Sequence, residues 1–287
     1  MAHKILISAE TGSDVPAALA RELGIMLIPM HVAMGNVTLD DGAFPPEDVC
    51  AHYDRTGKVP TTSASTPYDF ASVYDAVFEA DPEAQILHLA YSAVTTCSYH
   101  SCELAVEDKP YAHRVRIVDT KHVSIGQCAV VLAVYDWLQA NPDATLDEAV
   151  AAAVEIGKKT QMCFLPKNLD YLRAGGRCSN ATALVGNLLQ LHPCIEIVDG
   201  KLLAGKKYRG SLSKLAPGLL RDFLAKHNLK KDHIYLGHTP YLDEQIRTAL
   251  NEEAAALGFK KITWLNTGCV ITCHAGPGSF GIVGFEE

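Results

Sequence analysis

Hydroxyl side chains gathered just ahead of a helix start are the first feature of this 287-residue chain with chemistry in it. Val59-Pro60-Thr61-Thr62-Ser63-Ala64-Ser65-Thr66-Pro67 holds five hydroxyls in a segment expected to be a loop that ends at a helix N-terminus. Unpaired amides and the helix macrodipole favour an anion there, and the hydroxyls add donors. The plainer reading is a capped loop without a ligand. Tyr91-Ser92-Ala93-Val94-Thr95-Thr96-Cys97-Ser98 repeats the arrangement after an apolar run at 86–90. Ligands of parallel sheets sit at the carboxyl ends of strands, where this second loop would lie. Two hydroxyl loops at one sheet edge favour an oxyanion site more than either does alone.

Further along, His274-Ala275-Gly276-Pro277-Gly278-Ser279-Phe280-Gly281 contains a literal G-x-G-x-x-G. A dinucleotide fingerprint must open a βαβ unit, and only six residues follow Gly281, so that reading fails. The glycines are expected instead to let the backbone bend close to a ligand or another loop. His274 is a candidate for direct function, against the plainer role of a satisfied structural histidine. Tyr171-Leu172-Arg173-Ala174-Gly175-Gly176-Arg177 ends a helix in two glycines and an arginine. Either Arg177 is a surface charge behind a glycine C-cap, or the bend aims it at a carboxylate, a phosphate or a partner.

The elements that must position these groups alternate in the first half. Strands are expected at residues 4–8, 25–30, 86–90 and 115–118, with helices at 14–23, 66–80, 125–139 and 146–159 and a helical stretch between the last two strands. Thr66-Pro67 is placed as N-cap and first helical residue, with Phe70, Val73, Tyr74 and Val77 on one face. Such alternation specifies a parallel sheet covered by helices. A soft boundary falls near residue 160. Beyond it come a strand at 162–165, a short helix through Tyr171, a helix near 184–189 and a hairpin turning at Asp199-Gly200. Strands at 234–236, 262–265 and 281–285, with helices near 212–227 and 242–257, complete a mixed α/β half. The expected organisation is residues 1–160 as an N-terminal parallel α/β domain and 161–287 as a C-terminal mixed one.

Composition excludes several classes. The 48% hydrophobic fraction fills a substantial core without metal or disulfide help. Lys plus Arg total 25 against 33 Asp plus Glu, with no basic run, which argues against nucleic acid as a partner. No apolar run reaches the roughly 20 residues that span a bilayer, and the opening residues lack the pattern of a signal peptide. The nine cysteines are odd in number and scattered, as in a reducing compartment, so a cytoplasmic protein is expected. Cys269, Cys273 and His274 come nearest to a metal group, but no second cluster completes four ligands, and buried thiols are the better reading. No metal and no cofactor are expected.

Taken together these segments resemble the DegV family across nearly the whole chain. The family's Thr-Ser-Gln-Pro-Ser-Pro loop is matched by Thr62-Ser63-Ala64-Ser65-Thr66-Pro67, its Ser-Gly-Thr-Tyr turn by Thr95-Thr96-Cys97-Ser98, and its Gly-Gly-Arg by Gly175-Gly176-Arg177. Its His-x-Gly-x-Gly ending is matched by His274, Gly276 and Gly278, while Asp41-Gly42 and Asp119-Thr120 with Ser124 and Gly126 resemble further family segments. The resemblance implies a two-domain fold: an N-terminal three-layer parallel-sheet domain, a C-terminal two-layer mixed domain, and a long-chain fatty acid between them. It also implies a carboxylate held by hydroxyls at positions matching Thr62 and Thr95; Thr96, Ser92, Ser63 and His274 are further fatty-acid-binding candidates, and Arg177 is the candidate contact for a partner or phosphate. In the family that partner is a separate ATP-dependent fatty acid kinase, which makes acyl phosphate for phospholipid synthesis, so the chain is expected to be a lipid-binding subunit rather than an enzyme. Departures from the pattern fall at Thr95, at Thr96 in place of glycine, at Ala64 and Ser65 in place of Gln-Pro, and at Glu10 where Asp is common. They bear on ligand choice more than on fold.

A fatty acid suits such a composition because its tail supplies most of the affinity. Burying about fourteen methylenes at ~0.8 kcal/mol each gives on the order of 11 kcal/mol before ordering and association costs, so neutral hydroxyls suffice for the head. The rival is a small hydrolase or acyltransferase that uses Ser92 or a cysteine with His274. No G-x-S-x-G elbow supports it.

Overall fold

The computed structural model describes residues 5–178 and 191–287. Strand β1 (Ile5–Glu10), helix α1 (Ala17–Leu23) and strand β2 (Met26–Ile28) open the chain, with Pro16 as the cap of α1 and Gly24 ending it at φ 70°. Next comes a unit that the hydrophobic pattern did not announce: β3 (His31–Met34), β4 (Val37–Asp40), α2 (Glu47–Thr56) and β5 (Thr61–Ser63). Helix α3 (Pro67–Ala80) starts where Thr66-Pro67 places it. Thr66 Oγ1 accepts the Asp69 amide while Asp69 accepts the Thr66 amide, so both ends of the capping box are closed. Phe70, Tyr74 and Phe78 form its buried seam, with Val73 and Val77 flanking.

The alternation continues through β6 (Gln85–Ala90), α4 (Ser98–Val106), β7 (Val115–Asp119), α5 (Ser124–Ala140) and α6 (Leu146–Lys159). The second half runs β8 (Thr160–Leu165), α7 (Asp170–Gly175), β9 (Leu191–Val198), β10 (Lys201–Arg209), α8 (Leu212–Lys226), β11 (His233–His238), α9 (Glu244–Ala256), β12 (Lys261–Asn266), α10 (Cys269–Ala275) and β13 (Phe280–Phe285). The hairpin β9–β10 turns at Asp199-Gly200, both at positive φ as a two-residue turn demands. The helix expected near 184–189 lies outside the described residues.

Strands β2-β1-β6-β7 form an all-parallel sheet whose order reverses between β1 and β6. A second sheet, β10-β9-β8-β13-β11-β12, is antiparallel except for the β11–β12 pair. This is the mixed α/β architecture expected, a parallel sheet followed by a mixed one. Helix α5 lies between the two sheets, and its sequence explains why. Residues 124–131 are all buried, so its first two turns have no face to give to water. Its neighbours in the core come from β1 and β6 on one side and from β8, β11 and β13 on the other. Helices α3 and α4 cover the far face of the parallel sheet, and α8 and α9 the far face of the mixed one.

One expectation is corrected here. The first hydroxyl segment is not a second loop at the edge of the parallel sheet. Thr61–Ser63 is strand β5 of a separate antiparallel sheet, β4-β3-β5, in which Val32 opposes Thr62. Its Thr-rich, β-branched composition suits a strand, and His31–Met34 supplies the partner edge.

Candidate functional site

Strand pleating sorts the first hydroxyls. Thr61 and Ser63 are exposed while Thr62 is half-buried, because successive side chains leave a strand on opposite faces. Ser63 is thereby turned away from the face that Thr62 presents. Thr62 Oγ1 lies 2.9 Å from His274 Nε2, a contact between residues 212 positions apart that joins β5 to α10. Burial, with the Arg177 charge adding to it, lowers the His274 pKa to about 4, so the ring is neutral at physiological pH. A neutral imidazole with its proton on Nε2 donates to Thr62 and leaves the threonine O–H free to donate outward. The other tautomer reverses that direction.

The Gly-Gly-Arg segment divides into three roles. A Cβ on Gly175 would overlap His274 Nδ1, so the residue is small to make room for the ring. Gly176, at φ 64°, closes α7 in the left-handed region, its amide reaching the Leu172 and Arg173 carbonyls. Arg177 is exposed and donates to the Gly175 carbonyl at 2.7 Å, and among the described residues no carboxylate pairs with it. Arg177 thus follows the glycine end of α7 as an exposed charge bonded to that helix end.

The second hydroxyl segment does follow β6 and leads into α4, as expected. Thr95 Oγ1 donates to the Ser92 carbonyl at 2.8 Å and its amide to the same oxygen at 3.0 Å, so this hydroxyl is held by its own turn. Ser92 is fully buried and donates to the Gly200 carbonyl at 2.8 Å, which locks the turn onto the β9–β10 hairpin and leaves no hydroxyl proton for other work. Thr96 Oγ1 accepts the Ser98 amide at the start of α4. Thr95, Thr96 and Cys97 line a wide cleft that they share with Arg177 and Lys201. The structure thus groups Thr62 with His274, and Thr95 and Thr96 with Arg177. The Arg177 charge also reaches His274, where it adds to burial in lowering the ring's pKa.

Behind His274 lies an apolar cavity between α5 and the mixed sheet, lined by Ile125, Phe164, Leu172, Leu202, Ile271 and Phe280. Its volume is about 60 Å³. The helix that carries His274 is fixed by two carboxylates from the other half of the chain. Asp14 accepts the Gly268 amide at 2.6 Å and the Ser124 hydroxyl at 2.5 Å, and Asp41 accepts the Cys269 amide at 2.8 Å. Burial pushes the pKa of Asp14 well above the usual carboxylate range, with the neighbouring charge of Asp41 adding to the effect, and burial raises Asp41 as well. Asp14 escaped the sequence reading, as did helix α10. The signal available was an acid just beyond an apolar strand of a parallel sheet, where sites form.

The hydrolase reading finds little in this geometry. Ser92 has its hydroxyl proton engaged by the Gly200 carbonyl, and the thiols near His274 are poor nucleophiles: burial raises Cys269 to about 12 and Cys273 higher still, so both stay protonated. A Ser–His–Glu series does exist, with Ser8 Oγ 3.1 Å from His88 Nδ1 and His88 Nε2 3.5 Å from Glu10 Oε1. All three residues have no exposed surface, so no substrate reaches them. Burial alone would raise Glu10, but its attraction to His88 and the Tyr91 amide bond outweigh that and hold it below the usual value. Among the described residues no group of three His, Cys, Asp or Glu is placed to hold a metal ion, and no helix is long and apolar enough to cross a membrane.

A parallel sheet and a mixed sheet packed on the two sides of α5, with an apolar cavity lined in part by His274, make this a mixed α/β protein. The chain belongs to the DegV family of uncharacterised proteins, whose sequence model matches residues 4–287. It is 27% identical over 290 residues to a DegV domain-containing protein of Caldanaerobacter subterraneus subsp. tengcongensis, covering 99% of each chain. A protein of Thermotoga maritima described as a fatty acid-binding protein is 28% identical over 286 residues, covering 97% of this chain and 96% of its own. Among solved structures, a DegV family protein from Thermus thermophilus described by its fatty acid binding superposes with a TM-score of 0.87 at 28% identity, covering 99% of this chain and 100% of its own.

Proposed function

We propose that this chain binds a long-chain fatty acid, with the carboxylate at the Thr62–His274 pair and the tail running into the apolar cavity between the sheets. The observation that carries the proposal is that pair: a neutral hydroxyl–imidazole couple at the rim of an apolar interior. Neutral donors suit an amphipathic acid, because its tail provides the affinity and the head needs only orientation. In the tautomer that donates from Nε2, His274 polarises the Thr62 hydroxyl toward the carboxylate. Thr95, with an amide near Thr96, completes the oxyanion site from the cleft side. The family likeness to proteins described as fatty acid-binding supports the same ligand.

In this reading the two halves are domains divided near residue 160, with the acid between them. The chain carries the acid rather than transforming it, and presents the carboxylate to a separate ATP-dependent fatty acid kinase in the cytoplasm for acyl phosphate formation in phospholipid synthesis. The exposed guanidinium of Arg177, beside Thr95 and Thr96, is suited to a kinase carboxylate or to the arriving phosphate. Mass spectrometry of lipid extracted from the purified protein tests the ligand. One fatty acid per chain is the expected result, and a folded protein that neither retains nor takes up fatty acid defeats the proposal.

A further inference from the structure

The cavity behind His274 measures about 60 Å³, whereas pockets that enclose small molecules typically hold roughly 300–1,000 Å³. A long acyl tail enters only if side chains that fill this space move. One side chain stands out by what it fills. Ile125, 2% exposed at the start of α5, reaches across to the mixed sheet at the point where Gly237 of β11 and Gly281 of β13 are directly paired. A Cβ on Gly237 would lie 2.6 Å from Ile125 Cδ1 and 2.7 Å from its Cγ2, and one on Gly281 would lie 3.1 Å from Cδ1. All three residues line the cavity.

Glycine in the interior of a strand weakens a sheet, and it marks places where something must approach the backbone closely. Two glycines paired across neighbouring strands make a notch bare of side chains. Ser124 aims Ile125 into it: its backbone is left-handed at φ 51°, and its hydroxyl is tied to Asp14. The notch therefore holds either the isoleucine or part of a ligand, but not both.

We propose that Ile125, seated in the Gly237–Gly281 notch, sets the length and bulk of the acyl tail this protein accepts. The inference rests on the fatty acid reading above and names the residue that gives that site its selectivity. Shortening the side chain frees the notch for additional methylenes, and enlarging it denies them. Each further methylene buried at ~0.8 kcal/mol corresponds to about a fourfold gain in binding.

The experiment loads delipidated protein with an equimolar mixture of saturated acids of twelve to eighteen carbons and reads the bound distribution by native mass spectrometry. Against wild type, Ile125→Ala is expected to raise the ratio of the longest to the shortest acid by at least about fourfold, and Ile125→Phe to lower it by a similar factor. Gly237→Ala, which fills the notch from the other side, should shift the distribution toward short acids, and Ile125→Ala added to it should restore the wild-type profile. Ile125→Val, a milder truncation, gives the same direction if the alanine variant does not fold. A wild type that takes up acid while every variant keeps its distribution within about twofold overturns the selector. A folded wild type that takes up no acid overturns the fatty acid reading itself, and the selector with it.

Discussion

Thr62 and Thr95 look alike in sequence, each a hydroxyl in a Ser/Thr-rich run before a helix, yet the fold uses them differently. Thr62 sits on a strand, and its oxygen is paired with a histidine 212 residues away. Thr95 sits on a turn and spends its proton on a carbonyl three residues back. The first is ordered by the assembled protein and the second by its own loop. With the imidazole proton on Nε2, the Thr62 hydroxyl is available as a polarised donor, whereas one satisfied locally must leave its turn before it can serve a ligand. The two positions should therefore respond unequally to the same substitution.

The strongest disruption of the Thr62 side is made without touching Thr62. Gly175→Ala puts a methyl group where His274 Nδ1 lies, and overpacking of this kind costs roughly 1–3 kcal/mol. Denaturant unfolding should register that loss, and fatty acid retention should fall with it as the ring is displaced. On the Thr95 side, Arg177→Ala removes an exposed side chain, so stability should change by less than about 0.5 kcal/mol and bound lipid should stay. Kinase-dependent acyl phosphate formation, measured with the host's own kinase, should drop by at least about tenfold, equivalent to ~1.4 kcal/mol. Loss of lipid in this variant would move Arg177 into the head-group site.

Thr62→Val keeps the shape and removes the donor. Retention should fall by about tenfold, as for one hydrogen bond to a charged group. Thr95→Val should cost less than about threefold, because the hydroxyl it deletes is already engaged. Equal losses at both positions would erase the distinction between them. A separate test of the Thr62 side uses pH. The folded protein keeps His274 neutral down to about pH 4, while the unfolded chain protonates it near the ordinary value of 6.5. Between those limits the unfolded state binds more protons, so this residue makes stability fall as pH falls. His274→Gln should flatten that slope, by at most ~1.4 kcal/mol per pH unit, and thermal unfolding of the two proteins from pH 6.5 to 4.5 would measure it.

What the sequence made legible was what local chemistry decides. Thr66-Pro67 followed by Asp69 announces α3 to the residue, and Asp199-Gly200 announces a hairpin. The sheet β4-β3-β5 was missed although Gly35-Asn36 stands between two short apolar runs, because strands of three or four residues carry too little alternation to register. Helix α10 was hidden among cysteines read as buried thiols. The likeness to a family brought Thr62, Thr95, Arg177 and His274 into view together. Their division into two groups was not readable, since it depends on which face of β5 turns inward and on where α10 is pinned.

The pins on α10 also bear on when a working molecule can exist. Asp14 meets Gly268 across 254 residues and Asp41 meets Cys269 across 228. While the chain is being synthesised, the parallel sheet, Thr62 and Thr95 all emerge long before the helix that supplies the histidine. Both carboxylates spend that interval without the amides they are placed to receive. The Thr62–His274 pair can form only once α10 has been made, so a truncated product that folds its parallel sheet correctly still lacks the histidine that pairs with Thr62.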